Sequence, residues 1–368
     1  MTRLQQLHDE QGQSPWLDNL TRPYLREGKL ARMVADGIRG VTANPAIFTK
    51  SIEGSDAYDA QFAALRAGGH SLTEAYWGLV REDIRDALAV LRPTFDESGG
   101  ADGFVSVEVA PEIAHDTAAT VAAARDLHDA IAEPNLMVKI PATGAGVRAI
   151  EAMVAEGRNI NVTLVFSLGR YAEVIEAYIA GLERFAGRGG DLARVHGVAS
   201  FFLSRVDTEV DRRLAALGTG DATALLGRAA VAQAKLAYRM FSERFSGPRW
   251  ERLAAAGALV QRPLWASTST KNPAYPDTLY VDGLIGPDTV NTLPETTIRA
   301  FEDHGRVERT IDRGAGESAE VMRRLGAVGI DMEAVGRDLE EAGVASFRDA
   351  LAHVLRTLAS KEHALLAR

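Results

Sequence analysis

Lys139 stands in the run Leu136-Met137-Val138-Lys139-Ile140-Pro141, an ammonium flanked by apolar side chains. Such surroundings strip water from the charged form, and a desolvated lysine favours its neutral amine. Neutral amines attack carbonyls, so the chemistry this residue suggests is a Schiff base with a carbonyl substrate such as a ketone. Two neighbouring runs carry polar residues in the same alternating way. Ser106 and Glu108 alternate with Val105, Val107 and Val109, and Asn161 and Thr163 alternate with Ile160, Val162 and Leu164. A strand turns successive side chains to opposite faces, so each run has one apolar and one polar face. A buried charge costs several kcal/mol unless it is paired, which makes chemistry a better reason than stability for inward Glu, Lys, Asn and Thr. The same inward parity is expected of Asp18, Thr42, Asn44, Ser200, Phe202 and Ser267.

The elements that must hold these residues follow from the β-branched runs. Eight occur, at 15–19, 38–42, 104–109, 136–140, 160–166, 195–202, 263–268 and 289–293, with helical patterns between them at 72–91, 117–131, 146–156, 168–185 and 222–245. Alternating strands and helices signal βα units, and eight such units predict an α/β fold, a (β/α)8 TIM barrel with its site at the C-terminal strand ends. Helical periodicity continues over 295–368, with breaks expected at Gly314-Ala315-Gly316 and Gly343. We read that stretch as additional C-terminal helices appended to one domain spanning 1–368. An insertion-sized segment, 45–103, carries a long helix.

Composition narrows the function classes. The 368 residues are 46% hydrophobic and 25% charged, as in an ordinary soluble globular protein. There are no cysteines, which removes thiolate nucleophiles, disulfides and Cys-based zinc sites together. A net charge of −9 disfavours nucleic acid as a partner, whereas a few local cations suffice for one phosphate. No apolar leader or membrane-length stretch stands out, so the expected location is cytoplasmic, with no membrane partner. A homo-oligomer is left open.

Five strings recur together in a known order: Gly40-Val41-Thr42-Ala43-Asn44-Pro45, Val105-Ser106-Val107-Glu108-Val109, Val138-Lys139-Ile140-Pro141-Ala142-Thr143, Ile160-Asn161-Val162-Thr163-Leu164-Val165-Phe166-Ser167 and Val198-Ala199-Ser200-Phe201-Phe202. They resemble the transaldolase family, from about Asp18 to Asn291. The Trp265-Ala266-Ser267-Thr268 string ahead of Lys271-Asn272-Pro273 is similar to the family's longer bacterial branch. The resemblance implies transfer of a dihydroxyacetone unit from a ketose phosphate to an aldose phosphate, as in the non-oxidative pentose phosphate pathway. It implies sugar phosphates as partners and no metal or organic cofactor. Lys139 would be the Schiff-base lysine and Asp18 the carboxylate that takes the proton of the substrate C4 hydroxyl. Glu108 and Thr163 would position a water and move protons during imine formation. Asn44, Asn161 and Ser200 would bind substrate hydroxyls, and Arg205 and Ser267 the phosphate. The family's second phosphate arginine follows soon after that serine in many members. Here Lys271 is expected to replace it as a point charge.

Each residue also has a plainer reading. Lys139 could pair with Glu108 as a structural ion pair, Asp18 could cap a helix starting near Thr21, and Asn44 before Pro45 could open a turn. Arg205 could be a solvated helix residue, and Phe202 is read as core. Thr143-Gly144-Ala145-Gly146 superficially suggests a dinucleotide loop but lacks the third glycine. His196 faces inward near the wrong strand end for catalysis. Two competing functions are a fructose-6-phosphate aldolase of the same fold and a non-catalytic sugar-phosphate-binding barrel.

Overall fold

The computed structural model describes residues 1–366. Eight parallel strands close into a barrel in chain order: β1 (Gln13–Leu17), β2 (Gly40–Thr42), β3 (Phe104–Glu108), β4 (Leu136–Pro141), β5 (Ile160–Val165), β6 (Gly197–Phe202), β7 (Gln261–Ala266) and β8 (Thr289–Leu293). Each of the eight expected runs carries one. The register aligns Glu108 with Lys139, Lys139 with Asn161 and Pro141 with Thr163, which brings the polar positions of β3, β4 and β5 to one level.

The N-terminal half of the interior is filled. Trp16 lies 6.2 Å from Phe104, and Phe104 lies 5.0 Å from His196, centroid to centroid. Gly40 makes room for this plug, since a Cβ there would stand 2.5 Å from the Trp16 indole. Beneath it Asp102 gathers Ser14 at 2.6 Å, Arg39 at 2.9 Å and Arg262 at 3.2 Å. Only the C-terminal half is left for chemistry.

Two residues there have left-handed backbones. Leu164 has φ 60° where the pairing of β5 with β6 shifts register, a β-bulge, and Ser267 has φ 56° just past β7. Strand parity therefore does not bring Ser267 inward, as expected above; the left-handed turn beyond the strand does. Such conformations cost a non-glycine residue about 1–2 kcal/mol and mark places where the chain is re-aimed.

The helix Thr117–Ile131 has the expected bounds, and Leu72–Glu97 outruns its expected end. The stretch 222–245 is instead two helices, Gly220–Thr223 and Ala229–Arg244. Gly227 between them has φ 68°, and a Cβ there would meet the Tyr275 ring at 2.6 Å. After β8 come Glu295–His304, Ala315–Ala327 and Met332–Leu366. Gly314 breaks the pattern as expected, with φ 72°, but Gly343 does not, because it lies inside the last helix. A Cβ on Gly343 would stand 2.9 Å from Leu164 Cδ2, so the bare backbone lets that helix rest on the β5 bulge.

The helix Met332–Leu366 crosses the C-terminal mouth of the barrel. Near its start Glu333 accepts from Ser167 Oγ at 2.7 Å and from the Gly169 amide at 3.0 Å, satisfying the exposed donors that open the helix Leu168–Ala186. Further along, the Ala350 carbonyl accepts from Thr49 Oγ1 at 3.0 Å, and Lys361 pairs with Asp59 at 2.7 Å. The helix is thus fastened on the β5 side and on the inserted segment after β2. No helix among the described residues is long and apolar enough to cross a membrane.

Candidate active site

Lys139 is 4% exposed on β4. Val138 and Ile140, its sequence neighbours, share the opposite strand face, so the apolar flanks that single it out are not its surroundings. Its Nζ donates to the Ala43 carbonyl at 3.3 Å and stands 3.4 Å from Glu108 Oε2. The amine therefore faces a carbonyl and a carboxylate, not the apolar side chains expected from the sequence. A carboxylate at that distance is placed to exchange a proton with the amine.

Both neighbouring carboxyls suit that exchange. Burial raises the proton affinity of Glu108, opposed by the charge of Lys139. Burial raises that of Asp18 too, opposed by Lys139 and by the hydrogen bond from Thr42. Thr42 Oγ1 donates to Asp18 Oδ1 at 2.9 Å and lies 2.7 Å from Thr292 Oγ1, which fixes the carboxylate at the end of β1. Asp18 caps no helix: Thr21 does that for Arg22–Arg26, by accepting from the Tyr24 amide. Glu108 Oε2 and Thr163 Oγ1 are both buried and have no hydrogen-bond partner among the described residues.

Above Lys139 lies a cavity of about 140 Å³ whose wall includes Asp18, Asn44, Lys139, Ser200, Arg205 and Ser267. Six of the ten residues singled out from sequence therefore meet at one surface. Asn44 serves two ends, since its Oδ1 accepts from the Ile47 amide at 3.1 Å, capping the helix Pro45–Glu53, while its Nδ2 remains for a ligand. Ser200 Oγ donates to Asn161 Oδ1 at 2.7 Å, and Asn161 Nδ2 donates to Ser106 Oγ at 3.0 Å. Asn161 is fully buried and lies behind the wall, holding Ser200. Ser267 Oγ lies 2.8 Å from Ser204 Oγ.

Arg205, in the first turn of the helix Leu203–Leu217, has no acidic partner and no hydrogen bond among the described residues. Its guanidinium lies 5.4 Å from the Phe202 ring centroid and 5.8 Å from that of Phe347. Burial lowers its pKa, with Glu108 opposing. Lys271 is exposed, donates to Ser269 Oγ at 2.7 Å and stands outside the cavity wall. Burial lowers its pKa, as do the charges of Arg205 and Lys50, while Asp18 opposes them. On the cationic side of the site Arg205 stands in the cavity wall and Lys271 outside it.

Sequence reasoning passed over Phe202, Phe347 and Ser346. Phe202 had the inward parity and was still assigned to the core; it is 8% exposed and lines the cavity. Ser346 and Phe347 had no such signal, because only the path of the last helix brings them there. Thr143-Gly144-Ala145-Gly146 opens the helix Gly144–Val154, with Thr143 Oγ1 accepting from the Gly146 amide at 2.9 Å.

A larger groove, about 870 Å³, lies at the other end of the barrel around His128, Asn159 and His196. It contains neither of the raised carboxyls nor the buried lysine, and active sites of (β/α)8 barrels form at the C-terminal strand ends. Among the described residues no group of three His, Cys, Asp or Glu side chains is placed to hold a metal ion.

The comparisons point the same way as the geometry. The model of the family described as Transaldolase/Fructose-6-phosphate aldolase matches residues 15–358. A protein named Transaldolase 1 from Streptomyces avermitilis is 48% identical over 359 residues, covering 97% of this chain and 95% of its own. A Transaldolase from Parafrankia sp. is 49% identical over 94% of this chain and 95% of its own, and one from Thermobifida fusca is 49% identical over 94% of each. With nearly full-length matches on both sides and a barrel whose C-terminal mouth holds a buried lysine between two carboxyls, the chain belongs to the transaldolase/fructose-6-phosphate aldolase family.

Proposed function

We propose that the chain is a transaldolase that carries a dihydroxyacetone unit on Lys139. The observation that carries this reading is the cavity that Lys139, Asp18 and the unpaired Arg205 line together, with Glu108 3.4 Å from the amine.

Lys139, its proton passed to Glu108, adds through Nζ to the C2 carbonyl of a ketose phosphate such as sedoheptulose 7-phosphate or fructose 6-phosphate. The C2 hydroxyl of the resulting carbinolamine leaves as water when Glu108 returns the proton, and a protonated imine forms. Glu108 Oε2 and Thr163 Oγ1, buried without a hydrogen-bond partner among the described residues, suit the two ends of a bridging water in that exchange. Asp18 then takes the C4 hydroxyl proton. The C3–C4 bond breaks, its electron pair flows to the imine nitrogen, and an aldose phosphate leaves. The enamine that remains attacks the carbonyl carbon of glyceraldehyde 3-phosphate or erythrose 4-phosphate, Asp18 returns its proton, and hydrolysis frees Lys139.

Asn44 Nδ2 and Ser200 Oγ offer hydrogen bonds to the sugar hydroxyls, with Asn161 orienting Ser200. Arg205 and Ser267, also in the cavity wall, offer an anion site, with Lys271 as an outer point charge. A substrate lacking a hydroxyl would leave such buried groups unpaired and be rejected.

Borohydride reduction in the presence of fructose 6-phosphate tests the reading. The expected product is one three- or six-carbon adduct on the peptide containing Lys139, with turnover that requires erythrose 4-phosphate. No adduct on that peptide would favour a binding barrel, and rapid turnover without an acceptor would favour the aldolase.

A further inference from the structure

The Arg205 guanidinium is held by packing alone. No carboxylate pairs with it among the described residues, yet it is flanked by Phe202 at 5.4 Å and Phe347 at 5.8 Å, both inside the roughly 6 Å range of a cation over an aromatic face. Phe202 ends β6, whereas Phe347 belongs to the helix that crosses the mouth. Gly343 lies one turn before Phe347 on the same helix face, and a Cβ there would come within 3.6 Å of Arg205 Nη1. Backbone and ring of the last helix therefore close on the guanidinium together. Two rings pack against the guanidinium and no acceptor among the described residues engages its N–H groups, which leaves them for a phosphate that can take two side by side.

We infer that Phe347 is a positioning residue that orients Arg205 for the phosphate of the sugar, so that the appended helix sets the preference for phosphorylated over unphosphorylated ketoses. The inference rests on Lys139 forming an imine with a ketose phosphate.

Borohydride trapping on Lys139 is measured against the concentration of fructose 6-phosphate and of unphosphorylated fructose, in wild type, Phe347→Leu and Phe347→Tyr. Phe347→Leu keeps an apolar filler but removes the π face. It is expected to raise the half-saturating concentration of fructose 6-phosphate about tenfold while the maximal trapping rate holds. The shift for fructose should be several times smaller, and Phe347→Tyr should behave as wild type. Should the leucine variant not fold, Phe347→Met fills the same space and carries the test. Equal shifts for the two sugars, or none for either, would overturn the inference while leaving the imine chemistry standing. A wild-type chain that traps neither sugar would overturn both.

Discussion

Glu108 and Lys139 are register partners on adjacent strands, and their charged atoms stand 3.4 Å apart inside the barrel. The residues one step earlier, Val107 and Val138, are also register partners and turn to the opposite face. One alternation thus builds a dry outer layer that packs on helices and an ionic inner layer that can exchange a proton. Because burial raises the proton affinity of Glu108, the carboxylate suits the role of proton acceptor that the proposed mechanism gives it.

Removing the lysine tests that pairing through stability as well as activity. Lys139→Met should form no adduct and show no turnover, and it leaves Glu108 without its cation, a loss of about 3–5 kcal/mol for a broken buried pair. The sign follows from the raised proton affinity. In the unfolded chain a glutamate titrates at about 4.3, while in the folded chain burial disfavours the charged form of Glu108. Stability is therefore retained at low pH and lost as pH rises through the folded value. The melting-temperature gap between Lys139→Met and wild type should widen from pH 5 to pH 8, and the double variant with Glu108→Gln should close it. A gap independent of pH would mean that Glu108 does not depend on the lysine.

Asp18 should divide the reaction into two halves. Asp18→Asn is expected to lower turnover by about 10²–10⁴-fold, the usual worth of a general base. Imine formation, assigned to Glu108, should continue, so trapped adduct with fructose 6-phosphate should accumulate at close to the wild-type rate. Slowing of both steps to the same extent would refute the division. The pH profile carries a second mark. Burial raises the proton affinity of Asp18 and of Glu108, so kcat/KM in wild type should fall with decreasing pH at values above the ordinary carboxylate figure of about 4.

The eight strands were legible because β-branched residues at period 2 leave few alternatives, and most of the site was legible because its residues sit on those strands or one step past them. Glu108, Lys139 and Ser200 needed only parity. Ser267 escaped it, since a left-handed residue beyond β7 turns the side chain by a route that alternation does not encode. The cover was not legible at all. Gly343 reads as a helix breaker by propensity, but its missing side chain is what allows close approach to Leu164 and Arg205, and tertiary packing outweighs a propensity cost of about 1 kcal/mol. Phe202 reads as core because aromatic residues usually are, and Phe347 carries no signal in the sequence; only their joint contact with Arg205 distinguishes them. The apolar pattern over 222–245 ran on through a turn that depends on Tyr275, nearly fifty residues downstream of Gly227 on the chain.

Two histidines should govern acid sensitivity away from the site. Burial depresses His128 and His196 to about 4, with Arg158 and Arg262 respectively adding to the effect, from an ordinary value of 6.5. The unfolded chain therefore takes up protons first as pH falls. Stability is complete above about 6.5 and is lost as pH drops toward the folded values, by about 2 kcal/mol per histidine at pH 5. Melting temperatures between pH 7.5 and 5 should decline in wild type and decline less in His196→Phe, whose ring can keep the contacts with Phe95 and Phe104. An unchanged slope in that variant would remove His196 from the account.

The closed lower half of the barrel makes the last expectation a steric one. Gly40 faces an indole that cannot yield easily: Trp16 is fully buried, packs on Phe104 and donates its Nε1 to Asp102 at 3.4 Å. A methyl group placed 2.5 Å from that ring must push either the ring or β2 aside. Gly40→Ala should cost about 1–3 kcal/mol, the usual range for overpacking a filled core. β2 leads through Thr42 to Asp18, so a displaced strand would also disturb the base, and turnover should fall more than imine trapping. Trp16→Leu relieves the clash at the expense of a cavity, so the double variant should be less destabilised than the two single losses added together. Losses that add within about 0.5 kcal/mol would show that the indole is not what Gly40 accommodates.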